Sequence, residues 1–333
     1  FIKLSSMGVL LSSFGYHSAT RRFLFQSWNK IRQRIGGEGN WKEPRFTKKL
    51  SHYHPDLVVI AQGINFDGLA YASDCSSLNI PYVIIAQKAV DFFWPYHKDR
   101  SYMAKNLRKA AKCFFVSHHN LRLTEEQFGE RLVNAEVVYN PVKVSRKPLR
   151  FPSTGSGYRL ACIARYFIID KGQDILLRIL SKQKWKERPV TVSLIGAGPD
   201  YEGLKSMASL LQVTNIEFVE YANDIQKLWE NYHALVLPSR SEGMPLAVIE
   251  AMALGRPVIV TKAGGNPEII QDEITGFIGQ ANEDSFEDAL ERAWMRRNEW
   301  EAIGKNASAY VSENIPESPE TEFANKLCEI IYG

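Results

Sequence analysis

The sequence predicts two parallel α/β domains of the doubly wound type, facing one another across a cleft. Three observations carry this. The chain has 333 residues, which suits two domains of about 150 residues each. Short β-branched runs alternate with helical stretches from Asp56 onward, the pattern of parallel sheets joined by crossover helices. The stretch from Lys147 to Tyr158 gathers Pro, Gly and Ser between periodic segments and so marks a seam. The first domain is placed at 1–150 and the second at 151–315. A last amphipathic helix, within 319–333, follows Pro316 and is free to pack back on the first domain.

In chain order, the first half carries candidate strands Asp56–Ala61, Tyr82–Ala86 and Cys113–Val116, with helices Leu69–Leu78 and Tyr102–Ala111 between them. The second half carries strands Arg159–Ala164, Thr191–Ile195, Ile216–Val219, Leu235–Pro238, Val258–Thr261 and Phe277–Ile278. Its helices are expected near 173–181, 201–211, 224–231, 245–254, 285–297 and 300–311. Open sheets of this kind bind ligands at the carboxyl ends of their strands.

Composition narrows the class. Apolar residues make up 45% and charged residues 23%, which excludes a disordered or collagenous chain. No apolar run approaches the roughly 18 residues that span a bilayer. The opening lacks the pattern of a secretory leader, and its start on Phe1 leaves room for missing residues upstream. Cys75, Cys113, Cys162 and Cys328 lie far apart, so neither a disulfide framework nor a zinc site is expected and a cytoplasmic location is the default. Residues 1–150 hold 23 Lys and Arg against 11 Asp and Glu; residues 151–333 hold 18 against 26. A first half this basic fits either an anionic partner, such as a membrane surface or a phosphorylated lipid carrier, or a solvated face that keeps the chain in solution. No zinc-finger spacing or RNP-type aromatic motif supports nucleic acid.

The chemistry is concentrated after the strand ending near Pro238. The polar loop Ser239–Gly243 leads to Pro245, placed where a helix should begin. From Pro245 to Gly255 one charged side chain, Glu250, stands among apolar neighbours. A helix apolar all round is buried, and a lone carboxylate within it is costly unless hydrogen-bonded. A ligand diol would satisfy it; so would a buried arginine, or solvent. The free N–H groups of Gly243, Met244 and the first helical turn suit a phosphate.

These residues resemble the signature of glycosyltransferase family 4. Glu242 and Glu250, with seven residues between them, precede Gly255-Arg256-Pro257-Val258, Gly264-Gly265-Asn266-Pro267-Glu268 and Thr275-Gly276-Phe277. Upstream the resemblance includes Ala164-Arg165, Asp170-Lys171-Gly172-Gln173, Gly196-Ala197-Gly198-Pro199 and Asp224-Ile225 with Trp229. The first half is similar in outline to members that build bacterial surface polysaccharides, at Pro55–Val59, Gln62-Gly63, Asp67-Gly68, Pro81–Val83 and Asn140–Val142.

The resemblance implies the two-domain GT-B fold and a retaining, metal-independent hexosyl transfer with no cofactor. The nucleoside-diphosphate sugar, first choice UDP-glucose, is a substrate. Arg165 and Lys171 would hold its diphosphate, and Glu250 its ribose hydroxyls. Glu242 would meet the hydroxyls of the sugar, with Gly243, Met244, Pro245 and Leu246 near sugar and phosphate. Gly196 and Gly198 would let backbone approach the nucleotide. The chain has no Asp-x-Asp pair, so two cations and a helix N-terminus must neutralise the leaving group.

On the acceptor side the family often places a His after the strand that begins here at Pro81-Tyr82-Val83; this chain has Gln87, then Lys88. Glutamine cannot serve as a titrating base, but the leaving phosphate oxygen can take the proton in a front-face transfer. Asp67 and Asp91 are the acidic candidates on this side. His97, His118 and His119 read as surface or packed residues. The aromatic run Phe92–Tyr96 fits core, a sugar-stacking surface or a lipid interface. Trp28 and Trp41, among basic residues, fit a membrane surface. The expected acceptor is a saccharide or lipid-diphosphate-linked saccharide at the cytoplasmic face of the inner membrane. The alternatives are a UDP-sugar epimerase, which would need titratable groups in the first half, and a catalytically silent sugar-nucleotide-binding subunit.

Overall fold

The computed structural model describes residues 10–11, 44–220 and 224–333. They form two all-parallel sheets. The first has the order β1 (Leu10–Leu11), β2 (Val58–Gln62), β3 (Tyr82–Ala86), β4 (Lys112–Phe115) and β5 (Ala135–Val137). The second has six strands in the order β11 (Gly276–Gly279), β10 (Val258–Thr261), β9 (Ala234–Leu237), β6 (Tyr158–Ile163), β7 (Val190–Ile195) and β8 (Ile216–Val219). The basic stretch before Pro44, including Trp28 and Trp41, lies outside the described residues.

Alternation of side chains along the first sheet separates its two faces. Val58, Ile60, Tyr82, Ile84, Cys113 and Phe115 point to one apolar layer, packed with residues such as Leu50, Ala72 and Leu107 of the covering helices. Leu57, Val59, Val83 and Phe114 point to the other. That second face is covered from the far end of the chain, by the helix Pro319–Tyr332. Phe323, Leu327, Ile330 and Ile331 pack there, with Phe323 edge-on to Phe114 at 5.1 Å between ring centroids. Lys326 adds an ion pair to Glu136.

The second domain has a larger core, in which Trp185, Trp229, Trp300 and Phe286 are fully buried. Arg256 is buried with them. Its guanidinium donates to the carbonyls of Trp229, Leu149 and Arg150, so it stitches the seam to the end of the helix Leu246–Ala253. Burial pulls Arg256 down to about 10, and the Glu301 carboxylate offsets only part of this.

Several elements depart from the sequence expectations. The first-half helix expected at 102–111 starts earlier and runs His97–Lys109. A helix at His118–Phe128 and the strand β5 lie where the sequence pattern indicates no element. Pro245 is the N-cap, not the first helical residue: the helix is Leu246–Ala253. The run Phe92–Tyr96 is not core, since Phe92, Trp94 and Tyr96 are 68%, 54% and 62% exposed.

Candidate active site

Strand order in the second sheet reverses at β6, which pairs with β7 on one side and β9 on the other. The chain leaving two neighbouring strands in opposite directions opens a crevice at their carboxyl ends. Arg165 follows β6 and the loop Ser239–Gly243 follows β9, so both arrive at that crevice. The loop Lys262–Gly265 after β10 lies against them: Gly265 donates its N–H to the Gly243 carbonyl at 2.7 Å. Gly264, at φ 56°, would drive a Cβ into the Glu242 carbonyl, so only glycine fits there.

The central pair is Lys171 with Glu242. Lys171 Nζ lies 2.6 Å from Glu242 Oε1, and the Ser239 hydroxyl donates to that same oxygen at 2.6 Å. Glu242 is 5% exposed, so the lysine offsets what would otherwise be an expensive buried charge. Lys171 is placed by the short helix Ile168–Lys171, which ends at Gly172 in the left-handed region (φ 63°) against the Pro238 carbonyl.

Asp170, beside it, makes the second node. It is 8% exposed, and its Oδ2 takes Lys88 Nζ at 2.8 Å and Arg165 at 3.5 Å. Its carbonyl accepts the N–H groups of Arg240 (2.7 Å) and Ser241 (3.1 Å). Lys88 belongs to the first domain, so this carboxylate ties the two halves together. Arg165 also lies over the Phe167 ring at 4.6 Å.

Around these nodes are unpaired groups. The N–H groups of Gly243, Met244, Leu246 and Ala247 have no hydrogen-bond partner among the described residues. They stand at the positive end of the Leu246–Ala253 helix, as an anion site requires. Glu250 is half-buried and its carboxylate makes no hydrogen bond or ion pair with a described residue; burial pushes its carboxyl up, and Lys143 partly offsets this.

The first domain faces the site with the ends of β3 and β4. The Gln87 carbonyl oxygen sits against Gly243, where an added Cβ would overlap it. The Gln87 side chain accepts from Asn140 at 2.9 Å. Glu268, of the second domain, receives the N–H groups of His118 (2.9 Å) and His119 (2.6 Å) at the start of the His118–Phe128 helix. Between the domains lies a cavity of about 150 Å³ lined by Asp91 and His119 from one side and Arg240, Glu242, Lys262 and Gly264 from the other. A larger open groove of about 760 Å³, between the seam and residues 224–233, contains none of these groups.

Of the residues singled out in the sequence, Arg165, Lys171, Glu242, Gly243, Met244, Lys88, Gln87 and Asp91 come together here. Pro245, Leu246 and Glu250 continue along the adjoining helix. Asp67 is not among the cavity residues: its carboxylate accepts the Ile64 N–H at 3.1 Å and closes a turn. Gly196 and Gly198 are explained by packing, since a Cβ on either would strike the Ala164 or Tyr166 backbone. Asp170, Ser239, Lys262 and Glu268 were missed as site residues. Asp170 and Glu268 stand inside two of the recognised motifs, which was the available signal. Among the described residues no group of three His, Cys, Asp or Glu side chains could hold a metal.

Fold and crevice together define a two-domain GT-B protein. The Anabaena HepE structure in complex with UDP has this fold, with a TM-score of 0.71 and 19% identity over 86% of this chain and 82% of that one. Residues 157–295 match the family described as glycosyl transferases group 1. This agrees with the family 4 resemblance read from the sequence. A lipopolysaccharide 1,6-galactosyltransferase of Escherichia coli K12 is 25% identical over 249 residues, covering 70% of this chain and 64% of the relative. A UDP-Gal:alpha-D-GlcNAc-diphosphoundecaprenol alpha-1,3-galactosyltransferase of Escherichia coli is 42% identical over 73 residues, 22% of this chain and 19% of the relative. The chain thus spans less than two thirds of the length of either curated relative.

Proposed function

We propose that the chain is a retaining, metal-independent glycosyltransferase that moves a hexose from a nucleoside-diphosphate sugar, UDP-glucose as first choice, to a hydroxyl of a saccharide or lipid-linked saccharide. Its setting in this reading is surface-polysaccharide assembly at the cytoplasmic face of the inner membrane. The observation that carries the reading is the buried Glu242 paired with the half-buried Lys171, beside four N–H groups unpaired among the described residues at a helix N-terminus. That arrangement has cations and dipoles for a diphosphate and a carboxylate for sugar hydroxyls within one crevice.

Donor binding exchanges partners. Lys171 and Arg165 turn from Glu242 and Asp170 to the diphosphate oxygens, which also receive the free N–H groups. Glu242, released, accepts from hydroxyls of the sugar, while Glu250 accepts from the ribose diol. In the transfer, the bond between the anomeric carbon and the phosphate oxygen breaks, and its electron pair stays on that oxygen. The acceptor oxygen bonds to the anomeric carbon on the same face and passes its proton to the departing phosphate. No titrating base is needed, which fits Gln87. The names of the two galactosyltransferases and the UDP-bound fold neighbour support a UDP-sugar donor and a lipopolysaccharide or lipid-diphosphate acceptor.

The test is prolonged incubation with UDP-glucose alone, followed by proton NMR. Slow release of UDP with glucose appearing first as the α anomer is expected. A new UDP-sugar without free UDP would make the protein an epimerase, and an unchanged donor that is nonetheless bound would make it a binding subunit.

A further inference from the structure

The loop between β3 and the helix His97–Lys109 exposes four aromatic rings in five residues: Phe92, Phe93, Trp94 and Tyr96 are 68%, 43%, 54% and 62% accessible. A contiguous apolar patch on a water-facing surface is costly and marks a contact surface. The loop is anchored, since Phe93 packs on Phe66 with centroids 5.7 Å apart and Phe66 packs on Phe128 at 5.0 Å. Trp94 donates its indole N–H to the Asp91 carbonyl at 2.8 Å. The ring therefore presents a face with its polar atom already satisfied.

The helix that continues from the loop supplies the second observation. Lys98, Lys105 and Lys109 are all exposed. At about 100° per residue they fall within roughly 20° of one line along the helix. They form a stripe about 16 Å long at 1.5 Å per residue. The helix contains one acidic residue, Asp99, half-buried. Arg108 points away and pairs with Glu130.

We propose that the Phe92–Tyr96 loop and this lysine stripe form a docking surface for an anionic lipid bilayer. Apolar rings enter the interfacial layer while the lysines meet lipid phosphates, the pairing that amphipathic surface binders use. Asp91 directly precedes the loop and lines the interdomain cavity, so docking holds the mouth of that cavity at the membrane. That this presents a lipid-linked acceptor rests on the transferase reading; the contact itself does not.

The experiment is co-sedimentation of the full chain with vesicles of phosphatidylcholine alone and of phosphatidylcholine with phosphatidylglycerol, with UDP binding measured on the same samples. Wild type is expected to bind only the anionic vesicles. Replacing the three lysines by glutamine (Lys98→Gln, Lys105→Gln, Lys109→Gln) should lower the partition coefficient about a hundredfold, at roughly fivefold per lysine. Phe92→Ser should lower it at least about tenfold. Lys305→Gln, on the second domain, should change nothing. UDP affinity should be the same in every variant. Equal binding to both vesicle types, no binding to either, or variants that bind like wild type would overturn the proposal. Protection of the loop by soluble malto-oligosaccharides without vesicle binding would make it a saccharide platform instead. Failure of wild type to bind UDP would count against the transferase reading and leave the vesicle result standing.

Discussion

Glu250→Gln removes a charge that the folded protein does not use, so its effect separates ligand binding from stability. The carboxylate is half-buried in an apolar helix with no described partner, and burial raises its pKa. A folded-state pKa above the unfolded one means that ionising Glu250 costs stability. Its favourable contribution is complete below the unfolded pKa and lost as pH rises through the raised value, so near neutral pH the charge is a cost. Glutamine should therefore leave the melting temperature unchanged or raise it at pH 7. In the proposed liganded state the carboxylate would accept two charge-assisted bonds from the ribose diol, each worth roughly 1.5–3 kcal/mol, and glutamine would retain about one neutral bond of about 1 kcal/mol. The net loss is about 2–5 kcal/mol, or roughly 30- to 5,000-fold in Kd. Calorimetry with UDP at several pH values, alongside thermal melts, measures both quantities. Wild-type affinity should also fall on acidification as Glu250 takes up a proton, while the variant stays flat over that window. Unchanged UDP affinity, or a melting temperature several degrees lower, would refute the assignment.

Lys171→Ala should weaken UDP more than UMP, and should destabilise the protein by up to about 3 kcal/mol because Glu242 is left buried with Ser239 alone. Adding Glu242→Gln should restore the melting temperature but not the diphosphate affinity, which binding titrations and melts on the double variant will show. Gly243→Ala places a methyl group against the Gln87 carbonyl across the domain interface and should cost about 1–3 kcal/mol with loss of turnover. Gly203→Ala, on an open helical position, should stabilise by roughly 0.5–1 kcal/mol in the same denaturation assay. Cys75, Cys113 and Cys162 are buried, with their thiols pushed up to about 12 by desolvation. A disulfide reagent should titrate only the half-buried Cys328 in the native protein and all four thiols in denaturant.

The alternation of β-branched runs placed β3, β8 and β10 residue for residue, because such runs have few other ways to bury themselves. The His118–Phe128 helix was hidden by its polar opening, although Ser117 caps it through the Asn120 N–H and Gly129 ends it at φ 74°. Strand β5, three half-buried residues long, carries too little pattern to read. Pro245 was placed one residue too far into its helix, since the same ring conformation suits a cap with extended ψ. In the site, sequence spacing indicated which residues approach the crevice. It could not show that Lys171 is held by Glu242, or that Asp170 gathers Lys88 from one domain and Arg165 from the other. Those pairings depend on how two sheets far apart in sequence are set face to face. The exposed Phe92–Tyr96 run has the composition of a core, and only the surface it lies on distinguishes the two.

In the proposed function, the crevice at the ends of β6 and β9 binds a nucleoside diphosphate and its sugar. Calorimetric titration of the purified protein with UDP, GDP and ADP, then with the glucose, galactose, N-acetylglucosamine and mannose conjugates of whichever binds, tests it most directly. Saturable binding of UDP is expected, weaker in Lys171→Ala and Glu250→Gln, with a preference among UDP-sugars that Glu242→Ala abolishes. Absence of binding to every nucleoside diphosphate, or UDP binding indifferent to all three substitutions, would contradict it.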